Sequence, residues 1–401
     1  MAMVNREDQG GAGDDELFIC DGAAHCVQYV SDSTDHGKLS EGYIETMRVL
    51  HASASQFKHP GARNYLHPNR IHNGLIRNNH DVLWFSDRDM ARFSSWFKSR
   101  KTGVAGANRK FLEVCANFQP DVIALCSQDV LRPETIAQAR KKLPNVAIFQ
   151  YFIDPLFIEH NVEHARAKAE VVDWTFVTTA GPILSCLAGT GSKVAFVPNP
   201  VDTSIDVHRC HERTDQPFDV FFAGSAHKSL DPDDLRVRAH ELLKRDLPQA
   251  RCAIHGQGQP LPLLYGSAFL SVLGEAKIGL SFSQRSADAQ IGPGGSLYLY
   301  SSDRIGIYQG NGLLVFTTRA FRLSELYGAD SLVEVDGADD FVDKMRFFLN
   351  RDDERQRVAR NGWELGRREF NERLVAQYMI ETTLEMPYSH NYVWPLEAYG
   401  R

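Results

Sequence analysis

No run of about 18 apolar residues occurs in the chain, which excludes a membrane-spanning helix. Its opening, MAMVNREDQGGAGDDE, is acidic and lacks the apolar centre of a secretory signal. A cytoplasmic location is therefore expected. Cysteine is sparse: Cys20, Cys26, Cys115, Cys126, Cys186, Cys210 and Cys252 include no CxxC pair. Most sit in apolar runs and read as small core residues in a reducing compartment. Cys20, His25 and Cys26 form one close thiol/imidazole group, but no second ligand pair has suitable spacing, so no metal site is expected. Excess positive charge is absent too. The formal net charge of −7 gives no bulk attraction to nucleic acid. The sequence also contains no HExxH, no GxxxxGK[ST] and no Ser/His/Asp motif. Asp87-Arg88-Asp89 and Asp231-Pro232-Asp233 approach the metal-binding DxD pattern. The first follows a strand end and the second opens a helix, where acids suit the dipole, so both read as structural.

What is present is alternation. Its 401 residues accommodate two or three domains, and 43% hydrophobic content with 24% charge is ordinary for a globular chain. Residues 1–46 are polar and weakly patterned and read as an N-terminal extension, with short apolar runs at 18–20 and 27–30. From there, strands are predicted at 47–53, 81–85, 121–126, 146–152, 173–179 and 194–197. Helices are predicted at 70–78, 106–118 and 133–142. This β/α succession implies a doubly wound parallel sheet. The turn-rich segment 198–217 reads as a linker. Alternation restarts with a strand at 218–222, a helix at 233–244 and a strand at 250–255. Strands at 278–282, 313–317 and 331–335 follow, then helices at 339–349, 353–366 and 368–383. The expected fold class is α/β, with two Rossmann-like doubly wound domains facing a cleft. Residues 47–205 form the first, 217–385 the second, and the tail 386–401 returns toward the first.

Residues 276–319 carry the densest signal. An apolar strand is followed by a loop with Gly292, Pro293, Gly294 and Gly295, and then by Ser301-Ser302-Asp303-Arg304, which can open a helix. Exposed N–H groups at such a helix start favour an anion, and Arg304 adds a positive charge. An ordinary βαβ crossover with a surface arginine fits the same pattern. Gly224-Ser225 ends the first strand of the second domain and permits close backbone approach to a phosphate; a tight turn needed only by the fold fits equally. His255 and Gly256 close the next strand, where a nucleobase pocket or a plain loop would each fit. The His255-Gly256-Gln257-Gly258 segment is not a dinucleotide fingerprint, because Leu261 stands where a third glycine belongs. In the first domain Asp154 ends an apolar strand, a place for a catalytic or acceptor-binding carboxylate. Before Pro155 it would also serve as a helix N-cap. His59, His67, Asn69 and Arg70 follow the first strand and are expected to face the cleft, where they could bind a polar or anionic acceptor.

In order and spacing, these segments resemble GT-B glycosyltransferases of the CgeB-like group, relatives of a large retaining family that uses nucleotide sugars. The likeness runs through 47–53, Asn69-Arg70, Asn79-His80-Asp81-Val82, residues 197–202 and residues 220–225. It continues through 276–282, Ser302-Asp303-Arg304, Asn361-Gly362, Phe370 and Arg373. It implies a nucleoside-diphosphate sugar as donor substrate, no cofactor and no metal. Gly224, Ser225, His255, Gly256, Ser301, Ser302, Asp303 and Arg304 would bind the donor. Asp154 and Arg304 would be catalytic, and His59, Asn69 and Arg70 would bind the acceptor. Electrostatic stabilisation would come from Arg304 and from the N–H groups of Gly224, Ser225 and the 302–304 turn. A cell-surface glycan, lipopolysaccharide or glycoprotein would be the acceptor, lipid-linked or protein-borne, with peripheral membrane association compatible and no nucleic-acid partner. One departure is notable: the group commonly has Arg, two apolar residues, then Glu, and here Ile307 occupies the Glu position. A nucleotide-sugar 2-epimerase of the same fold, or an inactive GT-B scaffold, are the alternative readings.

Overall fold

Apolar runs at the predicted places become two parallel sheets. The computed structural model describes residues 46–54, 61–126, 129–188, 191–225, 234–283, 295 and 297–400. The first sheet holds β1 (Arg48–Ala52), β2 (Asp81–Phe85), β3 (Val122–Cys126), β4 (Ala147–Phe152), β5 (Trp174–Val177) and β6 (Lys193–Phe196). The second holds β7 (Phe218–Ala223), β8 (Cys252–His255), β9 (Ala276–Ser281), β10 (Leu314–Thr318) and β11 (Val333–Val335). A last short strand, β12 (Ala398–Tyr399), pairs antiparallel with β6 and closes the first sheet, whose order is β12-β6-β5-β4-β3-β1-β2. The second runs β11-β10-β9-β7-β8 and is wholly parallel. Strands such as Val122–Cys126 are buried at every position, as sheets covered on both faces require.

Helices cover those faces. They are α1 (His67–Arg77), α2 (Asp87–Phe93), α3 (Val104–Phe118), α4 (Pro133–Lys142), α5 (Glu159–Ala169), α6 (Leu235–Asp246), α7 (Gly266–Gly274), α8 (Asp303–Gly310), α9 (Ser324–Tyr327), α10 (Gly337–Leu349), α11 (Asp352–Glu369) and α12 (Glu372–Thr383). Sequence periodicity does not mark α2, α5 or α7. The predicted helix at 70–78 begins three residues earlier, because Pro68 fits its first turn. Asp154 is not an N-cap: α5 starts at Glu159, with Ile158 in the N-cap position and no side-chain cap.

The connection between the sheets is bolted at both ends. Arg70, on α1, is fully buried and pairs through both terminal nitrogens with Asp206. Its Nε donates to the Tyr65 carbonyl and Nη1 to the Pro200 carbonyl, at 2.9 and 3.1 Å. Asn311, just past α8, donates to the same Asp206 carboxylate at 2.9 Å. Arg77 joins Asp202 and Glu372, the latter at the start of α12, which lies against α1. One apolar core runs without interruption from Val49 and Ile71 through Phe221 and Tyr308 to Met379.

Candidate active site

The carboxyl ends of β4, β7, β8 and β9 point toward one cleft, the place where open α/β sheets hold ligands. From β4 the chain continues to Ile153-Asp154-Pro155, and from β7 to Gly224-Ser225. From β9 it continues to Phe282-Ser283. Opposite these stands α8, with Ser302 extended before it and Asp303 and Arg304 in its first turn. Ser302 makes no side-chain cap, so the helix start is not closed by its own sequence.

Two adjoining cavities share Asp303 and Arg304. One, about 250 Å³, lies between Asp154, Pro155 and Phe157 of the first sheet's loops and Arg236, Ser302, Asp303 and Arg304 of the second. The other, about 390 Å³, is bounded by Gly224, Ser225, His255, Tyr265 and Ile307 on one side and Arg63 and Tyr65 on the other.

Two guanidiniums dominate this region. Arg304 and Arg236 both approach the Phe222 ring, at 5.6 and 5.9 Å from its centroid. Both donate to the Phe282 carbonyl, at 3.0 and 3.3 Å, and Arg304 also reaches Ser283 Oγ at 3.1 Å. Arg236 Nε donates to the Ser225 carbonyl at 2.8 Å. Neither arginine forms an ion pair with a carboxylate among the described residues. Burial first, and the Arg304 charge second, pull the Arg236 pKa down to about 10. Two like charges are thus held together by carbonyls and the Phe222 ring, with neither offset by a direct ion pair among the described residues.

Glycine is required where these groups crowd. A Cβ on Gly224 would stand 2.9 Å from Phe222 Cζ and within 3.3 Å of both guanidiniums. One on Gly256, whose φ is +150°, would stand 2.1 Å from the Gly224 carbonyl oxygen.

Facing the arginines, Asp154 is exposed at the cleft wall and has no hydrogen-bond partner among the described residues. Its pKa is raised, by desolvation between the walls first and by the Asp303 carboxylate second. His255 donates Nδ1–H to the Pro262 carbonyl at 2.8 Å, which leaves Nε2 as its free ring nitrogen.

Several expectations need correction. Arg70 does not face the cleft; its buried pairing with Asp206 makes it a structural link and not an acceptor contact. The Gly224 N–H is not available to a ligand, because it donates to the His255 carbonyl at 2.9 Å. Ser301 is buried, with Oγ and carbonyl accepting from Asn199 at 3.0 and 2.7 Å, so it joins the lobes and lines neither cavity. His67 is buried against Tyr151, ring to ring at 5.4 Å, with its pKa lowered to about 3 by burial. Asn69 lines a different, mostly apolar cavity beside α2. His59, Gly292, Pro293, Gly294, Cys20, His25, Cys26 and Asp231-Pro232-Asp233 lie outside the described residues, as do the apolar runs at 18–20 and 27–30. Asp87, in the first near-DxD, is buried at the start of α2 with a pKa raised to about 6, chiefly by desolvation. No group of three His, Cys, Asp or Glu able to hold a metal occurs among the described residues. No described helix is long and apolar enough to cross a membrane.

Arg236 is the residue that sequence reading missed. The available signal was its place near the start of the helix that follows the Gly224-Ser225 turn.

The fold resembles that of known proteins. Residues 236–381, which include Arg236, Asp303 and Arg304, match the family described as Glycosyl transferase-like. No curated protein matches the sequence. Among solved structures, AviGT4, a glycosyltransferase involved in avilamycin A biosynthesis, is similar over 84% of this chain and 97% of its own, at 15% identity and TM-score 0.55. Sucrose-phosphate synthase from Thermosynechococcus elongatus is similar over 84% of this chain and 98% of its own, at 12% identity and TM-score 0.53. Anabaena HepE, solved with UDP-glucose, is similar over 85% of this chain and all of its own, at 12% identity and TM-score 0.53. With two parallel sheets of this order, the chain has the fold of the GT-B glycosyltransferases, and residues 236–381 of its second lobe carry a glycosyl transferase-like sequence.

Proposed function

We propose that the protein moves a sugar from a nucleoside-diphosphate donor to an acceptor, as a member of the CgeB-like group, with retention of configuration. One observation carries this: Arg236 and Arg304, without a carboxylate partner among the described residues, converge on the cleft opposite Asp154. The diphosphate of the donor would sit between them and the open start of α8. As the bond between sugar C1 and the phosphate oxygen breaks, negative charge grows on the leaving diphosphate, and both guanidiniums stabilise it. The site then needs no divalent ion for that task. Asp154 would receive the acceptor hydroxyl by hydrogen bond and orient it toward C1. Closure of the cleft would exclude water and suppress hydrolysis of the donor.

Nucleoside and ribose would extend into the larger cavity, toward Gly224, Ser225 and His255. There Ile307 offers no carboxylate to the ribose hydroxyls. Asp303 lies one turn earlier on α8 and lines the same cavity, and we assign it that contact. The acceptor would be a cell-surface glycan, lipopolysaccharide or glycoprotein substrate handled on the cytoplasmic side.

Ile307 also favours a second reading, a protein that binds nucleotide but transfers nothing. A thermal-shift panel of nucleotide sugars, followed by nucleoside-diphosphate release with and without glycan acceptors, separates the two. Stabilisation by a donor with acceptor-dependent release supports transfer. Stabilisation without release supports the binding protein, and no response to any donor rejects both.

A further inference from the structure

A third cavity, about 710 Å³, opens beside the candidate active site and is used by nothing described so far. Leu83, Trp84 and Phe85, at the end of β2, form much of its wall, with Met90 and Phe93 of α2 and Val114 of α3. Met90 and Phe93 are three residues apart, so they share a face of α2. Phe93 is 74% exposed and Leu83 39%, so the fold leaves substantial apolar surface open at this rim. Ser86 and Asp89 line it as well, but they are bonded to one another and Asp89 to Arg92, so they offer the cavity little. Arg63, Asn64 and Asn69 form its remaining polar rim, and their side chains make no hydrogen bond or ion pair with another described residue. Arg63 also borders the cavity assigned to the donor nucleoside, so the polar rim is the side nearer the cleft.

That gradient defines a ligand. A purely polar glycan would leave the apolar wall wet, and a purely apolar molecule would leave the three polar side chains unused. We propose that this cavity holds the acceptor, and that the acceptor is amphipathic. Its hydroxyl-bearing head meets Arg63, Asn64 and Asn69, and an alkyl chain or aromatic ring attached to it lies against Leu83, Phe85, Met90 and Phe93. The assignment of this ligand as acceptor rests on reading the neighbouring cleft as the place of sugar transfer. The amphipathic specificity itself stands on the cavity alone.

Calorimetric titration with octyl β-glucoside, below its micellar concentration, and with methyl β-glucoside tests this. Each buried methylene strengthens binding about fourfold, so the octyl compound should bind about a hundredfold more tightly with only three or four methylenes covered. Leu83→Asp and Phe93→Asp should each weaken octyl binding about tenfold and leave methyl binding unchanged. Both positions are partly exposed, so the variants are expected to fold; circular dichroism checks this, and either folded variant decides the point. UDP affinity, measured on the same samples, should stay within about twofold of wild type. Equal affinity for the two glucosides, or octyl binding indifferent to both substitutions, overturns the proposal. Octyl binding that is lost in the variants, in a protein that takes no nucleotide, would keep the cavity's specificity and reject the donor reading.

Discussion

Replacing Arg236 by alanine separates the account from a merely structural one. Its guanidinium is half-buried, shares the Phe222 face with Arg304 and has no carboxylate partner among the described residues. If it meets the donor diphosphate, its loss removes a charge-assisted hydrogen bond worth roughly 1.5–3 kcal/mol, so binding weakens about ten- to a hundredfold. The same change frees the Ser225 and Phe282 carbonyls, an effect on folding of about 1 kcal/mol. Removing a like charge beside Arg304 offsets part of that. Ligand linkage makes the difference visible. At a UDP concentration about 100 times the wild-type dissociation constant, bound nucleotide stabilises the fold by roughly 2.7 kcal/mol. A thirtyfold weaker variant gains only about 0.9 kcal/mol at that concentration. Thermal shift with and without UDP should therefore show a response cut to about a third, with the ligand-free melting point little changed. An unchanged UDP response in a folded Arg236→Ala protein would remove this residue from the site. A large fall in the ligand-free melting point with intact UDP binding would make it a structural tie.

Arg70→Ala should cost about 3–5 kcal/mol of unfolding free energy in urea titration, because it strands the buried Asp206 carboxylate; an acceptor-contact role would instead leave stability intact. Stability should fall as pH drops below about 6.5, by up to roughly 1.4 kcal/mol per pH unit for each neutral buried histidine. His51, His67 and His72 resist protonation when folded, with His67 lowered to about 3 and His72 to about 4, while the unfolded chain takes up those protons. Denaturation followed from pH 7.5 to 5 should show this slope, and His67→Phe should make it shallower. Asp154→Asn should slow transfer at least about tenfold, since positioned proton-handling groups contribute that much or more. Its nucleoside-diphosphate affinity should change less than twofold, so equal losses in both would place Asp154 with the donor.

The sheets were readable because parallel strands covered on both faces are near-continuous apolar runs, and 122–126 and 313–316 are such runs. Helix α4 was readable from Pro133 and its lysines, which mark the start and end locally. Helix α5 was not. Its apolar and polar residues are poorly segregated, so only contact with its neighbours defines it. The joint between 368–383 and the preceding helix was misread by three residues. There Phe370 drops into the core and Asn371 caps α12, a change of direction that periodicity does not encode. At the site, Ser302-Asp303-Arg304 announced itself by its place between a strand and a helix. Arg236 did not, because its meaning comes from Arg304, 68 residues later, meeting it over Phe222. Arg70 failed for the same reason in reverse. A lone arginine after a strand looks like a surface contact until Asp206, 136 residues away, is folded onto it.

Calorimetric titration of the wild-type protein with UDP, GDP and ADP, and with their parent nucleosides, tests the central claim most directly. Two arginines that meet a diphosphate contribute together about 3–6 kcal/mol. At least one nucleoside diphosphate should therefore bind more than about a hundredfold more tightly than its nucleoside, and the advantage should disappear in an Arg236→Ala, Arg304→Ala double variant. A diphosphate that binds no better than its nucleoside, or an advantage that survives the loss of both arginines, would contradict the account.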